Sequence, residues 1–556
     1  MSGQELVKKL KGEFGKSIIK TRQVHDDEVY VRVNRDAIPE VADHLSRVLG
    51  VRFVVSAGTD RRNGRKNLEV SHIFSADRDH LFVCLQCDVP HSDAKIGSIT
   101  PKVPAAGWSE REFKDVVGIE PVGHPDPRRL VLADDWPEDV YPLRKDFKFD
   151  EKPPPAKGMA PKLASAPEGT TVLPIGPFYP VLEEPAHIRL FIDGERIVGC
   201  DYRGFYNHRG IEKLGDSVLT YNEICFVAER ICGICGFIHS CCYCQAVEKA
   251  AGIEAPLRAK YIRSVMLELE RVHSHLLWLG IAAHIIGFDT VLMQSWRIRE
   301  PVMWLCEKIT GNRKTYGMNL IGGVRRDIPV DIHDEILSVL AKIEEEARAL
   351  VDAIPGDSTL MLRLKDVGRL SNADAVKMAV VGPTARGSDV GIDSRVDHPY
   401  AAYDQIDFKT HVYDGCDVLA RTLVRLDETF ESIGMIRNLL AQMPDGAIMA
   451  AVEEEIPAGL EGMSVVEAPR GEAIHYVLTG DDNRPERWRV RAPTYPNLQA
   501  LPTMLENATI ADVPITLGSI DPCFSCTERM EIADVNTGEV KVYSQDDLLR
   551  LSKGGR

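Results

Sequence analysis

Two cysteine pairs of one spacing, Cys232-Gly233-Ile234-Cys235 and Cys523-Phe524-Ser525-Cys526, stand far apart in the chain. A C-x-x-C lets two thiolates grip one metal without straining the backbone, so a fold that uses both pairs together must close on itself across most of a large domain. Packing thiols, or half of a structural zinc site, are the plain alternatives. A zinc ribbon sets its pairs roughly 15 to 20 residues apart, and this separation argues against a local zinc knuckle.

The neighbours sharpen the reading. Gly233 and Gly236 each follow a cysteine and let the backbone turn tightly beside a bulky centre. His239 lies four residues past Cys235, so in a helix both share a face and the imidazole can donate to the thiolate. Arg230 adds a fixed positive charge. Asp521-Pro522 reads as a helix start, with Asp as N-cap and Pro at the first helical position; Cys523 and Cys526 would then sit in a first turn whose dipole favours thiolate.

A chain of 556 residues predicts at least two domains. Its 44% hydrophobic and 27% charged content is ordinary for a globular protein. The net charge of −16 argues against nucleic acid or an anionic membrane surface as a direct partner. No apolar signal core opens the sequence, which predicts a cytoplasmic location. Thirteen cysteines, unevenly clustered, suit a reducing compartment and metal chemistry. The stretch from Leu276 to Met293 is broken by His284 and Asp289, and reads as buried helical core rather than a membrane span.

The fold class expected is an α+β small N-terminal domain followed by a mainly helical domain with small peripheral β-sheets. Residues 1–148 carry strand-like runs at Glu28–Val33, Val51–Val55, Leu68–Phe74 and His80–Val89, with an amphipathic helix at Ile38–Leu49. Cys84 and Cys87 read as packing thiols. Trp108–Asp115, Gly123–Leu130 and Tyr141–Phe147 read as a charged, turn-rich tail that lies across a partner surface. Residues 149–170, rich in Pro, Lys and Ala, form a linker.

The second domain, 171–529, opens on a hairpin of His187–Ile192 and Arg196–Cys200 across Asp193-Gly194. Helical patterns run through Leu257–Leu279, Ile298–Ile309, Ile332–Ile354 and Leu419–Leu440. Cys241, Cys242 and Cys244 read as packing residues, and His273 and His275 as hydrogen-bonded core groups. Asp289 is a weak candidate for charge stabilisation near the site. In Glu467-Ala468-Pro469-Arg470-Gly471-Glu472, Pro and Gly constrain the backbone around an arginine, which suits a guanidinium aimed at one spot; a solvated loop arginine is the alternative. Strands follow at Ala473–Leu478 and Trp488–Arg491. Residues 530–556 are a polar tail.

R-x-C-G-x-C-x-x-x-H with D-P-C-x-x-C-x-x-R resembles the signature of [NiFe]-hydrogenase large subunits. The resemblance implies a binuclear nickel and iron centre held by Cys232, Cys235, Cys523 and Cys526, with cyanide and carbon monoxide on the iron. By position Cys232 and Cys523 resemble the terminal nickel ligands, Cys235 and Cys526 the bridging ones. A-P-R-G resembles the segment whose arginine, here Arg470, overhangs the vacant metal position. Glu184 resembles the acidic residue that in this region of the family is the first proton carrier, although the usual E-G-H reads Glu184-Pro185-Ala186-His187; a surface carboxylate is the alternative. Heterolytic H2 chemistry needs a base: Cys523 is the first choice and Arg470 the second, tuned by Asp521.

Arg529, where other branches have histidine, resembles the energy-converting, membrane-associated branch. It argues against a structural metal at Glu212 and for a Glu212–Arg529 ion pair. Residues 1–148 are similar to the complex I 30 kDa subunit. Gly322-Gly323-Val324-Arg325 and Asp397–Tyr403 are similar to segments of its 49 kDa subunit. The fusion most resembles the formate hydrogenlyase type, running toward hydrogen evolution.

No ferredoxin-like cysteine run is present, so iron-sulfur clusters are expected on partner subunits. The partners implied are a small iron-sulfur subunit, ferredoxin-like electron-transfer subunits, membrane-arm subunits, formate dehydrogenase, nickel-insertion factors and a protease that removes the tail after Arg529. The location implied is peripheral, on the inner face of the cytoplasmic membrane. A complex I-like quinone oxidoreductase subunit, whose members lack the four cysteines, and a non-catalytic zinc-binding scaffold are the rivals.

Overall fold

Pleated apolar runs and long amphipathic runs separate the chain into sheet-rich and helix-rich parts. The computed structural model describes residues 1–62, 67–156, 162–176, 186–206, 208–352, 356–453 and 455–523, and the backbone of 528–529, 532–533 and 540–541. The N-terminal part starts with helix α1 (Gly3–Phe14), held by a Ser2–Glu5 capping box. Strands β1 (Ile18–His25) and β2 (Glu28–Val33), helix α2 (Ile38–Asp43), and strands β3 (Arg52–Asp60), β4 (Asn67–Ala76) and β5 (Leu81–Pro90) follow. The sheet order is β1-β2-β5-β4-β3, antiparallel except where β2 runs parallel to β5.

Cys84 and Cys87, three apart on β5, point to opposite faces and pack in different core clusters, both fully buried. That bears out their reading as packing thiols.

Trp108–Asp115 is not a turn-rich tail. It lies in helix α3 (Gly107–Val117), which buries Trp108, Glu110, Phe113 and Asp115 and ends on Gly118 at φ 77°. Its many charges hid the helix, yet they are satisfied within the chain: Glu110 accepts from Ser98, Thr100 and Ile99, and Asp115 from the amides of Leu130 and Val131. The surface that this part lies across belongs to the same chain.

Strands β6 (Thr171–Ile175), β7 (His187–Asp193) and β8 (Arg196–Arg203) form a small sheet that includes the expected hairpin. Helices α4 (Tyr221–Ala228), α5 (Gly236–Ala251), α6 (Leu257–Ile285), α7 (Asp289–Thr310), α8 (His333–Asp352) and α9 (Val418–Gln442) build the helical body. The stretch 276–293 spans the corner between α6 and α7, and among the described residues no helix is long and apolar enough to cross a membrane. Asp289 is at that exposed corner, paired with His284 at 2.6 Å, and takes no part in the site.

A third sheet, β9 (Glu461–Ala468), β10 (Gly471–Thr479) and β11 (Pro485–Arg491), is an antiparallel meander buried along almost its whole length. One face meets the N-terminal sheet: Tyr30, Val55, Ile73 and Phe82 share a core with Met463, Val465, Ile474 and Tyr476. Arg52 bridges Asp77 and Glu472, and Arg489 reaches Glu112. The other face lies on α5. Gly462 makes this possible, because a Cβ there would stand 2.4 Å from the Ala246 carbonyl oxygen and 2.7 Å from the Ala250 nitrogen. Helix α10 (Val513–Ile520) brings the chain to the second cysteine segment.

A substitution at Gly462 strikes backbone, which cannot move aside. Gly462→Val is expected to cost about 1–3 kcal/mol and lower the calorimetric midpoint. Gly12→Ala, on exposed α1 with open space around it, is expected to gain about 0.5–1 kcal/mol. Equal midpoints for the two variants would refute this account of the α5–sheet contact.

Candidate metal centre

Helix α5 begins immediately after the first cysteine pair, with Cys235 as its N-cap residue and Gly236 as its first helical residue. Gly236 has no room for a side chain: a Cβ would meet the Tyr316 ring at 2.3 Å and the Glu229 carbonyl oxygen at 2.6 Å. In the turn before it, the amides of Ile234 and Cys235 both donate to Cys232 Sγ at 3.4 Å. These donors favour the thiolate form. His273, on α6, hydrogen-bonds the Ile234 carbonyl at 3.0 Å and braces the same loop. His275, two residues on, bonds Glu428 at 3.0 Å, so both are the hydrogen-bonded core groups that the sequence suggested.

The second segment reverses one expectation. Asp521 does not start a helix; it ends α10, in the left-handed conformation at φ 57° and ψ 56°. Two preferences meet there. A residue preceding proline is disfavoured in the right-handed helical region, and aspartate is among the few residues that tolerate the left-handed one. Cys523 therefore lies two residues past a helix C-terminus. Its amide donates to Thr494 Oγ1 at 3.2 Å.

The folded chain brings Cys232 Sγ to 3.3 Å from Cys523 Sγ, across 291 positions of sequence. Cys235 is hydrogen-bonded to Cys232, and its thiol is pushed well above the usual range by that bond first and by burial second. All three are buried. Cys526, Glu184 and the Arg529 side chain lie outside the described residues. Among the described residues, no group of three or more His, Cys, Asp or Glu side chains is set to hold a metal ion.

Arg470 sits in the two-residue turn between Ala468 and Gly471, which pair across β9 and β10. Only 2% exposed, it donates through Nε to the Asp521 carbonyl at 2.6 Å and through Nη2 to Asp521 Oδ1 at 2.9 Å. Burial alone would lower its pKa, yet Asp521 and the sulfurs of Cys232, Cys235 and Cys523 outweigh it and hold the pKa above the usual guanidinium range. Gly471, at φ 126°, and Gly382 approach so closely that a Cβ on either would strike the other's backbone region at 2.4–2.6 Å. Arg271 grips the Glu467 and Ala468 carbonyls behind the turn, at 2.6 and 3.2 Å. The bracketed arginine is thus a fixed one.

Glu212 is not free for a metal. It pairs with Arg487 at 2.7 Å and Arg489 at 3.1 Å and accepts the Val490 amide at 2.9 Å. The pair expected with Arg529 lies outside the described residues.

His239, buried in the first turns of α5, has Nδ1 3.1 Å from His475 Nε2, and burial lowers its pKa to about 4. Its Nε2 has no hydrogen-bond partner among the described residues. Two buried thiols in contact, a permanent cation beside them and a spare imidazole nitrogen suit a soft, negatively charged metal-thiolate cluster. On that chemistry the residues fit a nickel-iron centre.

One important residue was not visible in the sequence. Glu270, on α6, accepts the amides of Phe237 and Ile238 at 3.1 and 3.0 Å and so caps the helix whose own N-cap, Cys235, makes no side-chain cap. A helix-period glutamate carries no local mark of such a long-range cap.

Comparison with known proteins agrees with this geometry. Residues 209–291 match the family model of nickel-dependent hydrogenase. Residues 31–153 match the respiratory-chain NADH dehydrogenase 30 Kd subunit, and 286–460 with 452–529 the 49 Kd subunit. The chain belongs to the large subunits of the [NiFe]-hydrogenases, in their energy-converting, complex I-related branch (group 4). It is a hydrogenase catalytic subunit of the formate hydrogenlyase type, with fused 30 kDa-like and 49 kDa-like parts. It is 41% identical over 531 residues to formate hydrogenlyase subunit 5 of Escherichia coli (strain K12), covering 95% of this chain and 93% of that one. It is 38% identical to hydrogenase-4 component G of the same organism, covering 99% and 96%. Among solved structures, a chain of the membrane-bound sulfane sulfur reductase, an archaeal respiratory membrane complex, superposes with a TM-score of 0.61 at 30% identity, covering 64% of this chain and 97% of that one.

Burial raises the Glu270 carboxyl from 4.5 to about 8. The folded state therefore binds that proton more tightly than the unfolded state, and the stability this adds is full below about pH 4.5 and lost as pH climbs through about 8. Glu270→Gln, which cannot ionise, is expected to flatten the decline of denaturant-measured stability between about pH 5 and 8. Parallel curves for variant and wild type would refute the assignment.

Proposed function

We propose that Cys232, Cys235, Cys523 and Cys526 hold a nickel-iron centre, with carbon monoxide and cyanide on the iron, at which the protein interconverts protons and dihydrogen. The observation that carries this reading is the 3.3 Å approach of Cys232 and Cys523 Sγ beneath a buried, salt-bridged arginine. A zinc scaffold has no use for that arginine, and a quinone-reducing relative has none for the converging thiols.

When bound, the centre supplies two-electron redox chemistry for heterolytic formation or cleavage of dihydrogen. The chain's residues handle the proton. Cys523 Sγ, the sulfur that follows the Arg470–Asp521 pair, accepts and releases it. Arg470 is no base in this arrangement, because Asp521 and three sulfurs keep it charged. It acts as a fixed cation that offsets developing negative charge at no reorganisation cost. Asp521 acts on Arg470 by holding both its Nε and Nη2. Glu184 is the carboxylate proposed to pass the proton outward.

Electrons leave through a partner iron-sulfur subunit, and membrane-arm subunits hold the complex at the inner face of the membrane. The similar chain's place in an archaeal respiratory membrane complex supports that placement. Residues 1–148 are proposed as the 30 kDa-like part, 149–170 as its linker, and 530–556 as a tail removed after Arg529 once nickel is in place.

Metal analysis of the purified complex is expected to find nickel with iron; zinc, or no metal, would overturn the reading. Infrared spectroscopy is expected to show bands of metal-bound carbon monoxide and cyanide. Arg470→Lys is expected to keep its nickel and lose turnover by about a hundredfold or more, since one ammonium cannot reproduce two directed bonds to Asp521. Undiminished turnover would remove Arg470 from the mechanism.

A further inference from the structure

A chain of three buried rings leads away from the spare nitrogen of His239. Trp488, on β11, donates through Nε1 to His475 Nδ1 at 3.1 Å, and His475, on β10, stands with Nε2 3.1 Å from His239 Nδ1. Trp488, His475 and His239 are all fully buried. We propose that Trp488 and His475 are positioning residues that fix the tautomer of His239 and so hold an N–H donor ready for the anionic ligands of the cysteine site.

The argument turns on what each ring can do. An indole nitrogen only donates. His475 Nδ1 must therefore be an acceptor and carries no proton. A neutral imidazole keeps one N–H, so the His475 proton is on Nε2, which donates to His239 Nδ1. The same rule then places the His239 proton on Nε2, the atom that has no partner among the described residues. Burial holds both imidazoles in the neutral form, lowering His239 to about 4 and His475 well below its usual value.

The ring that carries the spare donor lies near the cysteine site. His239 lies one helical turn past Cys235, and the charges of Cys232 and Arg470 bear on its ring. A buried N–H without an acceptor is destabilising; a metal-bound thiolate or another anionic ligand there removes that cost. A hydrogen bond to such a ligand withdraws electron density from the metals, so the relay would tune the centre as well as support it.

The two histidines and the tryptophan come from α5, β10 and β11, so the sheet that packs on α5 supplies the first two links. Only the last link rests on the metal reading above. Tautomers can be read without metal.

Histidine-selective 15N NMR of the full-length chain is the direct test. Wild type is expected to show His475 and His239 each as a single Nε2–H tautomer. Nδ1–H on either ring would overturn the relay from the wild-type spectrum alone, whatever the variants do. Trp488→Phe should admit the Nδ1–H form at His475. His475→Phe should release His239, whereas His475→Gln, whose amide can accept from Trp488 and donate to His239, should keep it as Nε2–H. A His239 signal indifferent to His475→Phe would also overturn the proposal.

In the metal-loaded complex, His475→Phe should move the infrared bands to lower wavenumber and His475→Gln should leave them in place. Unmoved bands in a loaded His475→Phe enzyme would cut the link to the site. A wild-type complex without those bands would refute the metal reading, and the tautomer spectrum would still decide the relay.

Discussion

One buried ion pair holds the two halves of the site in register. Arg470 leaves the hairpin turn between β9 and β10, and Asp521 ends the last helix before the second cysteine segment. Their two hydrogen bonds tie these elements together at a point with little access to water. A lone buried guanidinium would be costly, and removing one partner of such a pair typically costs about 3–5 kcal/mol. The pair is therefore weak evidence of net stability but strong evidence of specification: the hairpin and the helix end can settle only where both groups are satisfied.

Other buried charges extend this constraint. Behind the turn, Arg386 joins Glu428 and Glu467, while Arg395 joins Glu268 and Asp393, all within about 2% of full burial. Tyr400 accepts the Glu467 amide at 2.8 Å, and Tyr403 reaches Glu268 at 2.5 Å. The N-terminal part joins the same framework, since Arg52 reaches Glu472, two residues beyond Arg470. A segment that sequence pattern sets apart as a separate module is thus packed, through its sheet, against the very hairpin that carries the site's arginine.

Local chemistry was legible where the sequence carries its own signal. The first C-x-x-C pair, the Pro and Gly around Arg470, and the long apolar periodicities of 257–279 and 419–440 all correspond to elements of the structure. Misreadings arose where two local rules compete. Asp521-Pro522 has the composition of a helix start, but the apolar run Val513–Ile520 is already helical and proline forbids its continuation. Trp108–Asp115 looks solvated because its charges find partners only after folding. Glu270, His475 and Trp488 were invisible for a simpler reason: each acts on a residue distant in sequence, and no periodicity or spacing marks such a role.

X-ray absorption at the nickel edge of the purified complex tests the central claim most directly. Convergence of thiolates from both cysteine segments predicts a nearest shell of sulfur with an iron scatterer close behind it. A shell of nitrogen and oxygen, or nickel without a neighbouring metal, would contradict the account.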